Sequence, residues 1–335
     1  MAAFDPDAAA APGSGIFGLD SDPSSAQIHL LPVPFAATVS YGVGAERGPA
    51  AILAASHQID LYDFHFGRIY EAGVYLQAPD PAIAAAHDRA RAAAAPVLRV
   101  GGVAPGDPRC APVDEAGALV NATLRAAVEP ILDAGKIVGV VGGDHSVPFG
   151  AIAAAAARGD LGVLHVDAHA DLRPAYEGFR WSHASIMHNV LDACPGVTRL
   201  VQVGIRDFSE GEFRAVHASE GRVLTHFDAQ WRQRQFAGCK LDELVSEALD
   251  ALPQDVWVSV DIDGLDPSLC PNTGTPVPGG LAFAELAHLL HRLAGSGRRV
   301  VGFDLVEVAP GDDEWDANVG ARVLYKLCGA ALHSR

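Results

Sequence analysis

The sequence is poor in paired cysteine and in cations. Its five cysteines, Cys110, Cys194, Cys239, Cys270 and Cys328, are scattered and include no Cys-x-x-Cys pair, which excludes a disulfide-stapled module and a thiolate zinc or redox site. A reducing cytoplasm is the expected compartment. Lys and Arg total 24 against 41 Asp and Glu, a formal charge of −17 that repels phosphate backbones and anionic lipid. Neither nucleic acid nor a membrane surface is an expected partner. No apolar run of about 20 residues is free of charges, prolines and glycines, so no membrane span is expected. Asp5 and Asp7 stand where a secretory signal carries basic residues. Phosphate loops are missing too: GVGAERG (42–48) and GGDHS (142–146) form neither Gly-x-Gly-x-x-Gly nor a Lys-terminated loop.

What is present is ample core material, with 49% hydrophobic and 19% charged side chains in 335 residues. Residues 1–26, rich in Ala, Pro, Gly, Asp and Ser, read as a flexible N-terminal arm unless a neighbouring surface covers their few apolar groups. Residues 27–335 read as a single domain. Apolar strand-like runs occur at IHLLPVPF (28–35), KIVGVV (136–141), LGVLHVD (161–167), TRLVQVG (198–204), RVLTHFD (222–228), DVWVSVD (255–261) and RRVVGFD (298–304). Helix-compatible segments separate most of them, one beginning at Pro49 and another running from Val113 to Ala134 before Gly135. Residues 78–112 read as a weak alanine-rich helix and an exposed excursion. Such alternation predicts an α/β fold with a mostly parallel central sheet covered on both faces.

Several strands end in acids: GGDHS, DAHAD (167–171), DIDGLD (261–266) and DLVE (304–307). The carboxyl ends of parallel strands form the rim where ligands bind, and several buried carboxylates together require cations. In DAHAD, polar groups at alternate positions lie on one face if the chain stays extended, and Asp261 and Asp263 repeat that arrangement. Each cluster alone also reads as a solvated strand end. Together they make chemical sense. His145, Asp167, Asp171 and Asp261 can hold one ion, and Asp167, His169, Asp261 and Asp263 a second, with Asp167 and Asp261 shared. Four carboxylates, two imidazoles and no thiolate favour two Mn²⁺ over structural zinc. Two such ions, about 3.5 to 4 Å apart, lower the pKa of a shared water and supply hydroxide near neutral pH.

The motifs GGDHS, DAHAD and SVDIDGLDP (259–267), continued by TGTPVPGGL (273–281), resemble those of the ureohydrolases, the arginases, agmatinases and related guanidino hydrolases. The resemblance implies a three-layer α/β/α arginase-like fold of about eight strands, a dinuclear manganese site and a homotrimer or homohexamer. It implies a proton-shuttling role for His183, with His188 a neighbouring competitor, and guanidinium binding for Glu307 through paired hydrogen bonds. It also implies that Asp171 carries a proton to the leaving nitrogen, with urea released.

Substrate choice rests on the loop after Asp171. Arginases have Asn where this chain has Arg173, and a second acid where it has Ser209 beyond Asp207; agmatinases have Gly-Thr where it has Ala184 and Ser185. Arg173 suits an acidic tail or forms a surface ion pair, and Tyr176 lines the pocket or packs the loop. Ser209 is a further candidate substrate contact. An agmatinase-type enzyme releasing urea and putrescine is the favoured expectation, with a place in polyamine metabolism. A guanidino-acid hydrolase, formimidoylglutamase or arginase is the alternative, and a non-catalytic scaffold the remaining one.

Overall fold

Strands that all run the same way cannot be joined by tight hairpins, so each return needs a crossover, and here most crossovers are helices. The computed structural model describes residues 4–335; the first three residues of the segment read as an arm lie outside the described residues. The strands are β1 (Ile28–Val33), β2 (Val74–Leu76), β3 (Ile137–Gly142), β4 (Leu161–Val166), β5 (Val197–Ile205), β6 (Val223–Phe227), β7 (Asp255–Asp261) and β8 (Arg299–Val306). They form one sheet in the order β2-β1-β3-β8-β7-β4-β5-β6, with every pairing parallel. Seven coincide with the apolar runs. The eighth, β2, is a three-residue edge strand, too short to show a period.

Ten α-helices among the described residues cover the sheet: α1 (Gly48–Ser56), α2 (Pro81–Arg99), α3 (Ala111–Asp133), α4 (Phe149–Ala156), α5 (Ile186–Ala193), α6 (Glu210–Ala218), α7 (Asp228–Phe236), α8 (Leu241–Asp250), α9 (Phe283–Ala294) and α10 (Trp315–His333). Side chains alternate along each strand, so β7 sends Val256, Val258 and Val260 into a core shared with α1, α8, α9 and α10. Trp257 goes the other way, into a core shared with α2, α3, α4 and α5. Two cores on opposite faces of one sheet are the three-layer α/β/α arrangement. Helix α2 is well formed, because Asp80 caps it through Ala82 N–H at 2.8 Å and Pro81 occupies its first turn. The excursion after it is tied down, with Val103 N–H donating to Glu177 O at 3.1 Å. No helix among the described residues is long and apolar enough to cross a membrane.

Part of the N-terminal segment is docked. Ile16, Phe17 and Leu19 are buried. Phe17 N–H donates to Ser56 Oγ on α1 at 2.9 Å, and its ring meets Tyr325 of α10 edge-on at 4.8 Å. Lys136 holds the carbonyls of Pro23 and Ser24 at 2.8 Å each. The neighbouring helices thus supply the apolar surface that a segment of this composition cannot make for itself.

Emptying this contact has a measurable cost. Phe17→Ala is predicted to lower the unfolding free energy by about 3 kcal/mol or more, as for other buried phenylalanines, read from urea denaturation of the full chain. A loss below about 1 kcal/mol would show that the segment contributes no packing.

Candidate metal centre

The strand order explains why motifs far apart in sequence meet. β3, β8, β7 and β4 are consecutive neighbours in the sheet, and their carboxyl ends carry GGDHS, DLVE, DID and DAHAD. Neighbouring strands lie about 4.8 Å apart, so side chains leaving four adjacent ends converge. In the first motif Gly143 leaves no room for a side chain, because a Cβ would collide with the Phe35 carbonyl oxygen. The next residues are fixed by Asp144, which accepts from Ser146 N–H at 3.1 Å and from the Ser146 hydroxyl.

The acidic motifs do not continue as strands. β4 ends at Val166, the chain bends at Ala168, and Asp171 adopts a left-handed φ of 54°. After β7, Ile262–Gly264 forms a 3-10 turn. The extended geometry expected from alternate spacing is therefore replaced, for a physical reason. Backbone N–H groups beyond the sheet have no ladder partner, and the aspartates supply one. Asp167 Oδ1 accepts from His169 N–H at 2.6 Å, Asp261 Oδ1 from Asp263 N–H at 2.8 Å and Asp263 Oδ1 from Ala168 N–H at 3.0 Å.

All six side chains proposed as ligands nevertheless meet. His145 Nδ1 lies 3.0 Å from Asp167 Oδ2 and 3.3 Å from both Asp171 Oδ2 and Asp261 Oδ2. His169 Nδ1 lies 3.1 Å from Asp263 Oδ2 and 3.5 Å from Asp167 Oδ1. Asp167 thus faces one set with each oxygen. Asp261 sits with the His145 set, and the tight second group is Asp167, His169 and Asp263. No lysine or arginine among the described residues lies within ion-pair distance of these four carboxylates.

The electrostatics show what the cluster lacks. Burial and then the neighbouring Asp167 hold Asp171 well above the usual carboxylate range, and burial with Asp263 and Asp167 does the same to Asp261. Burial also opposes the charge of Asp167, but His165, His145 and His169 prevail and hold it well below. Against burial, Asp167 and Asp261 raise His145 well above an ordinary histidine, and Asp263 and Asp167 push His169 up to about 12. Protons are crowded onto a donor set whose chemistry suits divalent cations: oxygen-rich, buried and without thiolate.

A cavity of about 400 Å³ opens beside these groups and is lined by His169, Asp171, Arg173, Tyr176, His183 and Asp207, among others. His183 Nδ1 lies 3.2 Å from Thr38 Oγ1; burial and then His169 and His145 push it down to about 4. His188 is elsewhere, on α5, its N–H donating to Asp171 O. Glu307 follows β8 directly, at a φ of 61°, with its N–H on Gly143 O at 2.7 Å. Its Oε1 accepts from His145 N–H at 3.0 Å, and its buried Oε2 has no partner among the described residues. Burial, Asp261 and Asp144 raise it well above an ordinary glutamate.

Ser209 is not among the residues lining this cavity. It is the N-cap of α6, in a reciprocal capping box with Glu212. The Ser-x-x-Glu spacing was the signal for that role. Sequence reasoning also missed His165, whose Nε2 lies 2.9 Å from Asp167 Oδ2, and Asp304, which accepts from Trp257 Nε1 at 2.6 Å and Ser259 Oγ at 2.9 Å. Both interrupt apolar strands, and a polar residue inside a strand buried on both faces is the signal each carried.

Protons held in the folded state and released in the unfolded one make stability fall as pH rises. His145, His169, Asp171, Asp261 and Glu307 all have that sign above about pH 7, where histidines held low, such as His165 and His183, no longer titrate. A divalent cation replaces those protons. The rise in melting temperature on adding Mn²⁺ is therefore predicted to widen between about pH 7 and about pH 8.5; an equal shift at both values would contradict proton–cation competition.

Comparison with known proteins agrees with the geometry. Residues 26–329 match the arginase family. The chain is 36% identical over 319 residues, 94% of each chain, to an N(1)-aminopropylagmatine ureohydrolase of Thermus thermophilus. It is 32% identical over 308 residues to agmatinase of Bacillus anthracis, covering 90% of this chain and 91% of the relative. The solved structure of agmatine ureohydrolase of Thermoplasma volcanium superposes with a TM-score of 0.72 at 26% identity, covering 92% of this chain and 91% of the other. An acid-and-imidazole cluster at the ends of neighbouring parallel strands, together with these matches, makes the chain a member of the arginase family, a ureohydrolase acting on C–N bonds of linear amidines.

Proposed function

We propose that this chain releases urea from a guanidino compound with a cationic amine tail, agmatine or its N1-aminopropyl derivative. The observation that carries the choice of tail is the pairing of Arg173. Its Nε lies 3.4 Å from Glu212 Oε2, and its guanidinium stacks 4.8 Å from the centre of the Tyr176 ring. Glu212 is buried and also accepts from Leu172 N–H at 3.1 Å. Glu212 balances the arginine's charge from its Nε side, so an acidic tail gains less from it than from an unpaired guanidinium. Asp207, whose side chain is 69% exposed at the same cavity, has His169, at 4.0 Å, as its only ion-pair partner among the described residues and faces an incoming ammonium. With Arg173 in place of asparagine and Ser209 in a helix cap, little remains to hold the α-carboxylate and α-amino group of arginine.

His145, Asp167, Asp171 and Asp261 would hold one Mn²⁺, and His169, Asp263 and Asp167, with Asp261 beside them, a second. When bound, the two ions balance the four carboxylates and bring the acidity of water into the neutral range. Glu307 Oε2 accepts a hydrogen bond from the guanidinium and orients its central carbon. Water adds to that carbon, the bond to the tail nitrogen breaks, and the amine leaves protonated with neutral urea as the other product. Asp171 carries the proton to the leaving nitrogen. His183 exchanges protons with solvent through Nε2, since Nδ1 is engaged by Thr38.

The test is urea release by the Mn²⁺-loaded full chain. We predict kcat/KM for agmatine or N1-aminopropylagmatine at least about 100-fold above that for arginine or 4-guanidinobutyrate, the roughly 3 kcal/mol expected when a charge is matched against one left unpaired. Asp207→Asn is predicted to cost about five-fold with the cationic substrates, near 1 kcal/mol for a solvated ion pair. A preference for 4-guanidinobutyrate would overturn the choice of tail.

A further inference from the structure

One level of the sheet register is polar across five consecutive strands. Asp304 of β8 pairs with Ser259 of β7, Ser259 with His165 of β4, His165 with Gln202 of β5, and Gln202 with Thr225 of β6. Paired residues of parallel strands point to the same face, so these five side chains form a row. Four of them are buried, with Asp304, Ser259, His165 and Gln202 at 0% exposure. Such a row is costly unless every group is satisfied, and the hydrogen bonds along it fix who donates to whom.

Ala170 O can only accept, so the Gln202 atom 2.8 Å from it is the amide nitrogen. Gln202 Oε1 then accepts from the Thr225 hydroxyl at 2.7 Å. The second hydrogen of the same amide nitrogen points to His165 Nδ1 at 3.0 Å, which must present its lone pair. The imidazole proton is left on Nε2, which lies 2.9 Å from Asp167 Oδ2. A nitrogen that carries a proton has no lone pair for a metal ion. The geometric grouping of His165 with His145, Asp167 and Asp171 is therefore not a ligand set.

We propose that His165 is a positioning residue: through Nε2–H it fixes the Asp167 carboxylate so that each of its oxygens keeps one lone pair for a different cation. The other oxygen is fixed in the same manner, since Oδ1 accepts from His169 N–H at 2.6 Å. Once cations replace the protons that His145 and His169 hold, each oxygen keeps one protein donor and one free direction. The opposite end of the row does for His145 what Gln202 does for His165. Ser259 Oγ donates to Asp304 Oδ1 at 2.9 Å, so it accepts from His145 Nε2–H at 2.9 Å, and Nδ1 is the nitrogen turned toward Asp167, Asp171 and Asp261, where a cation replaces its proton. The row sets, before any ion arrives, which His145 nitrogen faces the cation and how the Asp167 carboxylate is turned. This inference rests on the two-ion reading of the centre.

Mn²⁺ binding to the full chain, followed by titration calorimetry and by the loss of the free-ion electron paramagnetic resonance signal, separates the possibilities. His165→Phe removes the donor and is predicted to weaken Mn²⁺ binding about 10-fold or more. His165→Gln, whose amide nitrogen reaches the place of Nε2, is predicted to restore affinity to within about three-fold, as retention of an orienting donor requires. Native affinity and stoichiometry in a folded His165→Phe chain would overturn the proposal. So would loss of one ion in both variants, which is the mark of a direct ligand. Failure of the unaltered chain to bind Mn²⁺ would instead remove the two-ion reading itself. Should His165→Phe not fold, the ¹⁵N spectrum of histidine-labelled unaltered chain, with Mg²⁺ in place of Mn²⁺, reads the tautomer directly: a proton on Nε2 is expected, and one on Nδ1 overturns the assignment.

Discussion

Four carboxylates, Asp167, Asp171, Asp261 and Asp263, are packed within reach of two imidazoles at the ends of adjacent strands, and no lysine or arginine among the described residues pairs with them. Like charges this close in a buried site cannot all be ionised without added positive charge. That constraint accounts for much of the rest. It explains why Asp171, Asp261 and Glu307 are driven toward their neutral forms while His145 and His169 hold protons tightly. It also gives part of the −17 formal charge a local meaning, as charge gathered where cations are to be held.

The sheet makes the crowding possible. Residues 145, 167–171, 261–263 and 307 are remote in sequence, but the order β3-β8-β7-β4 brings their strand ends side by side. A single one-residue slip of register would turn each side chain to the other face. Polar interior residues help to specify that register. The row from Asp304 to Thr225 is satisfied only when all five strands stand level, and a slipped strand would bury unpaired groups. The site and the fold therefore share one set of hydrogen bonds.

Much of this was legible in the sequence, for identifiable reasons. Strands of a parallel core show as largely apolar runs, and seven of eight did; β2 was missed because three residues carry no pattern. The candidate ligands showed because acids and histidines at strand ends are hard to explain otherwise. What did not show depends on three dimensions. His165, Gln202 and Ser259 look like isolated polar interruptions until the register aligns them. The bend at Ala168 and the left-handed Asp171 follow from capping needs that alternate spacing does not reveal. Arg173 could not be weighed as a substrate contact until Glu212, from α6, was found beside it. Ile16 and Phe17 were hidden in a segment of disordered composition because their partners, Ser56 and Tyr325, lie far along the chain.

The side chains at these strand ends are proposed to cage two cations and not one. Anomalous diffraction at the manganese edge, from crystals of the full chain grown with Mn²⁺, measures this most directly. Two peaks about 3.5 to 4 Å apart are predicted, one against His145 Nδ1 and one against His169 Nδ1, with an oxygen of Asp167 on each. A single peak, or two that leave Asp167 bound to only one ion, would contradict it.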